Sequence, residues 1–419
     1  MTDHIPGTRA ATASATATAT DPVAAGPADG PVRAWVGRPA EQQPDWRDHP
    51  AYARTRRALA AAAPLVTPAE LDALRGSLAE VAAGQAYLLQ LGDCAESLYE
   101  CSPWHTQGKL AVVDRLADQT TAATGLAVVR VGRIGGQFAK PRSKPTEAQV
   151  DGEIPVFRGH LVNSEVPTRA ARRHDPRRML WAYEASANVT RWVKAHRQVY
   201  GGMGPWTSHE ALVVDYEDAL VREDAETGTA YLGSTHLPWI GDRTRQPDAA
   251  HTRLLAAVAN PVACKIGPDA RPDDVTELCR LLDPDRVPGR LTLIVRMGRS
   301  AVADTLPPLV EAVRRAGHPV VWLSDPMHGN TVRAAVGLKT RRLDDMVAEA
   351  VRVRQVLESQ GQHAGGLHLE VAAADVTECT GGAVDDDEAL LERYTTLCDP
   401  RLNPDQAAEL VDAWLRGTV

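Results

Sequence analysis

The chain has 419 residues, 44% apolar and 24% charged, which places it among ordinary globular proteins and excludes a disordered or fibrous chain. Lys and Arg total 46 against 54 Asp and Glu, a net charge of -8, so the global field speaks against a nucleic-acid surface or an anionic membrane as partner. Any anion this protein takes must be held by local charge.

Residues 1–31 are Ala, Thr, Pro and Gly with almost no large apolar side chains, too little to offset their ordering entropy, and read as a disordered tail. Residues 32–84 read as an N-terminal helical extension with helices at about Tyr52–Ala62 and Pro68–Ala83. The second has Thr67 as N-cap, Pro68 in first position, Glu70 to close a capping box and Gly84 as C-cap. Trp35 and Trp46 beside it read as packing or as a homo-oligomer interface.

From residue 85 to 419 short apolar runs alternate with amphipathic segments, the pattern of repeated βα units on a parallel sheet. The runs are AYLLQL (86–91), LAVVRV (126–131), HLPWI (236–240), PVACKI (261–266), LTLIVR (291–296), PVVWLS (319–324) and GLHLE (366–370). An eighth is expected between 132 and 235, best placed just before Ser208 in MGPWTSHE. Eight such strands close into an α/β fold of the (β/α)8, or TIM-barrel, type. Nearly every run ends in chemically capable residues: GDCAES, GRIGGQFAKPRS, GDRTRQ, KIGPDA, RMGRS, DPMHGN and HLE. Loading every junction favours the barrel, whose active site lies at the strand C-termini, over an open sheet with one switch point.

The six cysteines, Cys94, Cys101, Cys264, Cys279, Cys379 and Cys398, form no C-x-x-C pair, the first residues lack a basic segment leading into an apolar run, and no stretch reaches roughly 18 uninterrupted apolar residues. A cytoplasmic protein with reduced thiols and no membrane role is expected.

Two constellations stand at the junctions. Cys94 follows the first strand, His328 the seventh, Glu370 ends the last and Asp399 lies beyond it; in a closed barrel these positions are neighbours. One thiolate, one imidazole and two carboxylates suit a borderline divalent metal such as Mn, Co, Fe or Zn. Equally, Cys94 reads as a small buried hydrophobe, His328 as a turn residue after Pro326 and the acids as surface charges or caps, and spacing alone leaves both open. The second set is basic: Arg133, Lys140, Arg142, Arg243, Lys265 and Arg296. Pairing with Asp242, Glu96 and Asp325 is the bland account; phosphorylated substrates, gripped by guanidinium forks and ammonium charge, are the better one for so many strand ends. GRIGGQ (132–137) has the wrong spacing for a dinucleotide fingerprint or a P-loop, so no nucleotide cofactor is expected.

Together GDCAES, RIGGQFAKPRS, WIGDRTRQ, NPVACKIGP, RMG, DPMHGNT, HLE, VTECTGG and CDPRLN resemble type II 3-deoxy-D-arabino-heptulosonate-7-phosphate (DAHP) synthases, in order from about residue 85 to 405. The resemblance implies a (β/α)8 barrel that condenses phosphoenolpyruvate with erythrose 4-phosphate, releasing phosphate, at the start of the shikimate pathway. It places a Mn2+ or Co2+ on Cys94, His328, Glu370 and Asp399. It places phosphoenolpyruvate on Arg133, Asp242, Arg243, Lys265 and Arg296, and erythrose 4-phosphate on the KPRS motif through Lys140, Arg142 and Ser143. Lys265, Arg296 and Lys140 are the implied catalytic groups, with proton transfer assigned to Lys265 or Lys140. Cys398, beside Asp399, reads first as a buried free thiol in a reducing cytoplasm; the alternative is an approach to Cys94 close enough for a reversible disulfide that expels the metal.

Three departures from the family pattern bear on function. Asp242 stands where Glu is usual, and residues 371–375 read VAAAD where a T-G-E-N run is usual, which removes polar groups near the mouth and leaves an amino-modified tetrose phosphate as an alternative acceptor. Between the helix ending near Val199 and TSHEAL only YGGMGPW remains, where long members insert a regulatory helical pair. The chain thus resembles the short subtype tied to secondary-metabolite supply of the phenazine type, is expected to ignore aromatic amino acids, and lacks the ground for the family's contact with chorismate mutase. A catalytically silent barrel that binds a partner or sugar phosphate is the rival from another class.

Overall fold

In the computed structural model, residues 33–149, 152–198 and 201–417 are described; the 1–31 tail lies outside them. Eight parallel strands close into a barrel: β1 (Ala86–Gly92), β2 (Ala127–Arg133), β3 (Trp206–Glu210), β4 (Leu237–Ile240), β5 (Val262–Ile266), β6 (Leu291–Val295), β7 (Val321–Ser324) and β8 (Gly366–Glu370). Each pairs with its sequence neighbour, and β1 closes on β8 with Leu88 opposite Gly366 and Gly92 opposite Glu370. The expected eighth strand is β3, which begins at Trp206 but runs on through Ser208 to Glu210.

Period-2 alternation sorts the strand residues. Leu89 and Leu91 of β1, with Leu367 and Leu369 of β8, face outward into the main core beneath the surrounding helices. Leu88, Val129, Trp206, Trp239, Ala263 and Leu323 face inward and stack with Leu74, Leu78 and Val81 of α2 (Pro68–Ala82), so the N-terminal extension plugs the bottom of the barrel. The Thr67–Glu70 capping box that starts α2 is present, a feature worth about 1 kcal/mol. α1 (Tyr52–Ala60) packs on α4 (Arg178–Arg197) and α5 (Val214–Ala219), with α3 (Pro103–Thr124) between β1 and β2. Trp35 and Trp46 are buried and donate to Asp218 and Asp215 of α5, both at 3.0 Å, so both pack within the chain.

The circuit continues through α6 (Ala250–Ala256), α7 (Pro272–Leu282), α8 (Val302–Ala316) and α9 (Leu343–Ser359), and α10 (Pro404–Arg416) packs on α3 and α9. Small antiparallel hairpins at 146–155 and 331–341 follow β2 and β7. Both rise from the C-terminal end of the barrel, where they wall the site. Among the described residues no helix is long and apolar enough to cross a membrane.

Candidate active site

The upper barrel is polar by layers. His368 on β8 receives a hydrogen bond on Nε2 from Arg133 at 2.8 Å, so its proton sits on Nδ1, which donates to Gln90 Oε1 at 2.7 Å; Gln90 in turn donates to Ser208 on β3. Burial, then the charges of Lys265 and Arg133, keep this imidazole neutral by holding its pKa well below the usual value. Its ring meets Trp239 edge-on at 5.3 Å, and the Arg133 guanidinium lies over the same indole.

One turn of pleat higher, Glu370 is the hub. Its carboxylate takes Arg133 at 2.9 Å, Lys140 at 2.8 Å, Arg341 at 2.8 Å, and stands 3.1 Å from His328 Nε2. Burial alone would raise its pKa, but these cations outweigh that and hold it well below the carboxylate range. Lys140 also reaches Asp399 at 3.3 Å, and those two carboxylates together outweigh burial and keep it firmly charged. Asp399 is further held by Lys339 at 2.8 Å.

Lys265 on β5 is in the opposite electrostatic position. Its ammonium pairs with buried Asp325 at 2.7 Å and approaches His328 Nδ1 at 3.4 Å, yet burial dominates and lowers its pKa. Asp325 also holds His328 Nδ1 at 2.9 Å, leaving Nε2 directed at Glu370. Arg296 donates to the His328 carbonyl at 2.7 Å and to Asp242 at 3.0 Å, while Arg245 takes the other Asp242 oxygen. At the rim Arg243 donates to the Ser143 hydroxyl at 2.8 Å. The pairing that could neutralise the basic set therefore occurs for Lys265, Arg296, Arg133 and Lys140, whereas no Asp or Glu ion pair of Arg142 or Arg243 exists among the described residues.

Cys94, His328, Glu370 and Asp399 are brought to one locality. The Asp399 N–H lies 3.5 Å from Cys94 Sγ, and Cys398 is hydrogen-bonded to the same sulfur. Burial raises the Cys94 thiol, but that hydrogen bond and the Lys140 charge prevail and bring its pKa down to about 7, on the way to the thiolate a metal requires. Asp325 orienting His328 through Nδ1 is the carboxylate–imidazole arrangement that prepares Nε2 as a ligand. Thiolate, imidazole and two carboxylates thus fit a borderline divalent ion in kind. The side chains are not gathered into a closed cage: among the described residues no three His, Cys, Asp or Glu are so arranged, and the Lys140 ammonium lies between Glu370 and Asp399.

Sequence reading missed three contributors, Arg341, Lys339 and Glu210, and gave a fourth, Glu96, a different partner. Arg341 and Lys339 come from the 331–341 hairpin and reach back to Glu370 and Asp399. Glu210, at the C-terminal end of β3, is half-buried, with a buried and unpartnered Oε1; desolvation raises its pKa against the field of Lys265, Lys140, Arg133 and Arg243. Glu96 accepts the backbone N–H groups of Gly135, Gly136 and Gln137 at 2.8–2.9 Å and so fixes the loop behind Arg133. Gly136 must be glycine, since a Cβ there would collide with the His209 ring.

Above these residues opens a cavity of about 690 Å3 bordered by Arg142, Ser143, Arg243, Arg296, His328, Lys339, Arg341 and Asp399. The VAAAD segment does not border it. Ala373 and Ala374 instead line a separate cavity of about 500 Å3 with Trp104, Lys109, Asp93 and Arg401, so the lost polar groups are not at the mouth of the cationic cavity.

Fold and cavity define an α/β-barrel enzyme whose chemistry is built around a cationic cup at the strand C-termini. Residues 31–204 and 197–413 match the class-II DAHP synthetase family. A probable phospho-2-dehydro-3-deoxyheptonate aldolase of Pseudomonas fluorescens is 48% identical over 90% of this chain and 94% of its own. The phospho-2-dehydro-3-deoxyheptonate aldolase of Streptomyces coelicolor is 41% identical with the same coverage of each, and that of Mycolicibacterium smegmatis 39% over 90% and 92%. A solved phospho-2-dehydro-3-deoxyheptonate aldolase from Francisella tularensis aligns over 87% of this chain and 96% of its own with a TM-score of 0.53 at 11% identity, a likeness of fold. The chain belongs to the class-II DAHP synthetase family.

Proposed function

We propose that this chain joins phosphoenolpyruvate to erythrose 4-phosphate, giving DAHP and inorganic phosphate as the first step of the shikimate pathway. The observation that carries the reading is a cup in which Arg142 and Arg243 have no Asp or Glu ion pair among the described residues while Glu370 and its cations are buried beneath them. Arg133, Lys265, Arg296 and Arg243 would grip the carboxylate and phosphate of phosphoenolpyruvate, with Asp242 orienting Arg296. Arg142, Ser143 and Lys140 would take the phosphate side of the tetrose.

C3 of phosphoenolpyruvate attacks the aldehyde carbon, water adds at C2 and phosphate leaves, while the arginines stabilise the charge that moves onto the departing group. A Mn2+ or Co2+ held by Cys94, His328, Glu370 and Asp399 would supply Lewis-acid polarisation of the aldehyde. Lys140, kept charged by two carboxylates, serves as a fixed cation; Lys265, whose pKa burial lowers, is the better group to pass a proton.

The decisive assay is phosphate release from the two substrates by metal-stripped protein, before and after Mn2+ or Co2+ is restored, with Cys94→Ala as control. Metal-dependent release lost in the variant supports the reading; no release with any metal turns the weight to an amino-modified tetrose or to the silent barrel. The short passage from Arg197 to Trp206 supports a role in secondary metabolism without aromatic feedback, and sub-millimolar inhibition by Phe, Tyr or Trp would refute it. A cytoplasmic homo-oligomer is the working assembly; Trp181 and Trp192, exposed three turns apart on α4, supply the apolar face.

A further inference from the structure

Behind the 142–144 segment, on the side away from the cup, lies a second cavity of about 350 Å3. Arg142, Ser143 and Lys144 border both cavities, so this stretch is a shared wall. The far side adds Arg158 and His174, and no Asp or Glu lines the space. In a protein of net charge -8, a cavity walled by two guanidiniums, an ammonium and an imidazole without one carboxylate is a local excess of positive charge.

The groups are held there against their own repulsion. Arg158 donates to the carbonyls of Gln42 and Gln43, neutral partners that leave its charge uncompensated, and its Nε is buried without a partner. Burial first, then the charge of Arg142, lowers its pKa. Gln42 anchors the wall from outside: its side chain accepts the Arg142 N–H at 2.9 Å while its own backbone sits in the left-handed region, φ 61°. Strain of this kind persists where the surrounding structure requires the position. His174 accepts the Asp45 N–H on Nδ1 at 3.0 Å, which leaves Nε2 as the nitrogen that carries the proton and donates.

We infer that this cavity is a second anion site, built for a phosphate dianion, either free or as the head of a small phosphomonoester. Guanidinium forks, a hydroxyl and an ammonium match three phosphate oxygens and a charge of roughly -1.5 to -2. Arg142 is the link. An anion in the rear cavity draws the guanidinium away from the cup and weakens binding of the acceptor phosphate, so phosphate released by turnover raises the KM for the acceptor. This linkage, though not the site itself, rests on the function proposed above.

The test is a calorimetric titration of the full-length protein with inorganic phosphate, repeated with glycerol 3-phosphate. Two phosphates per chain are expected in the wild type, and one in Arg158→Gln and in His174→Glu, which places a carboxylate in the rear cavity. Arg243→Gln removes the other. Retention of both phosphates in Arg158→Gln and His174→Glu overturns the proposal; should Arg158→Gln fail to fold, His174→Glu decides alone. Two phosphates surviving in Arg243→Gln count against the phosphoenolpyruvate role given to Arg243 and leave the rear site standing. Glycerol 3-phosphate competing at the Arg158-dependent site identifies a head-group site, and its failure to compete identifies the free ion as the occupant.

Discussion

The Lys140 ammonium lies 2.8 Å from Glu370 Oε1, both side chains buried, with Asp399 on the other side of the nitrogen at 3.3 Å. Lys140 is therefore the structural counter-ion of two carboxylates beneath the cup. Lys140→Met should destabilise the fold by about 3 kcal/mol, the low end for breaking a buried pair, because Glu370 retains Arg133, Arg341 and His328. Turnover should fall about 100-fold or more. Urea unfolding with steady-state assay checks both; a stability change under about 1 kcal/mol would mean that the pair behaves like an exposed one.

Glu210 offers a pH handle. With Oε1 buried and unpartnered, its carboxyl has a raised pKa despite four cations around it. A raised acid binds its proton longer in the folded state than in the unfolded, so its ionisation costs stability as pH rises through the shifted value. Glu210→Gln should abolish that cost, leaving the melting temperature at neutral pH unchanged or higher. Because the group faces Lys265 and Lys140, the same variant should lower kcat tenfold or more and erase one limb of the pH–rate profile. An unaltered profile would assign Glu210 a purely structural place.

His236 predicts the acid limit of the fold. It is fully buried where β3 meets β4, accepts the Thr207 N–H on Nδ1 at 3.1 Å, and faces Glu70 and Arg197 with Nε2. Burial lowers its pKa to about 4, although Glu70 pulls the other way. Between about 6.5 and 4 the unfolded chain binds a proton that the folded one refuses, so stability falls as pH drops through that window, by up to about 3 kcal/mol. His236→Asn keeps an acceptor for Thr207 and should flatten the slope of unfolding free energy between pH 6.5 and 4. A slope identical to wild type would move the acid sensitivity to other groups.

The same β3–β4 region shows where sequence reading thins out. Seven strands are legible because their outward faces are runs of Leu, Val and Ile packed under helices. β3 reads Trp-Thr-Ser-His-Glu because polar partners wait on both of its faces: Ser208 binds Gln90 and the Gly132 carbonyl inside the barrel, while Thr207 binds His236 and His209 binds Glu217 of α5 at 2.8 Å on the other face. No apolar period can announce such a strand. The strand-end cations and the Cys94, His328, Glu370 and Asp399 set were legible from position in the repeat. Arg341 was not, since it lies on a hairpin after β7 that has no strand-end position and reaches back over the top of β8 to Glu370. Nor was the second cavity, whose walls come from residues 42, 142–144, 158 and 174, distant in the chain and joined by the N-terminal extension folding over the 142–144 segment.

Cys94 and Cys398 give the final expectation. All six cysteines are free thiols, and these two share a hydrogen bond that, with burial, pushes Cys398 up while Cys94 comes down to about 7. The lowered Cys94 pKa favours the thiolate, the form that attacks a disulfide, and its partner stands adjacent. Oxidised glutathione should convert the pair to a disulfide with release of two reduced glutathione molecules, leaving two fewer titratable thiols than the six of the reduced chain. Activity should be lost and restored by dithiothreitol, and Mn2+ binding should fall in parallel, since a sulfur tied in a disulfide is no ligand. Cys398→Ser removes the resolving thiol and should stay active in the same oxidant for several times longer. Equal inactivation rates for wild type and Cys398→Ser would trace the sensitivity to a cysteine other than this pair.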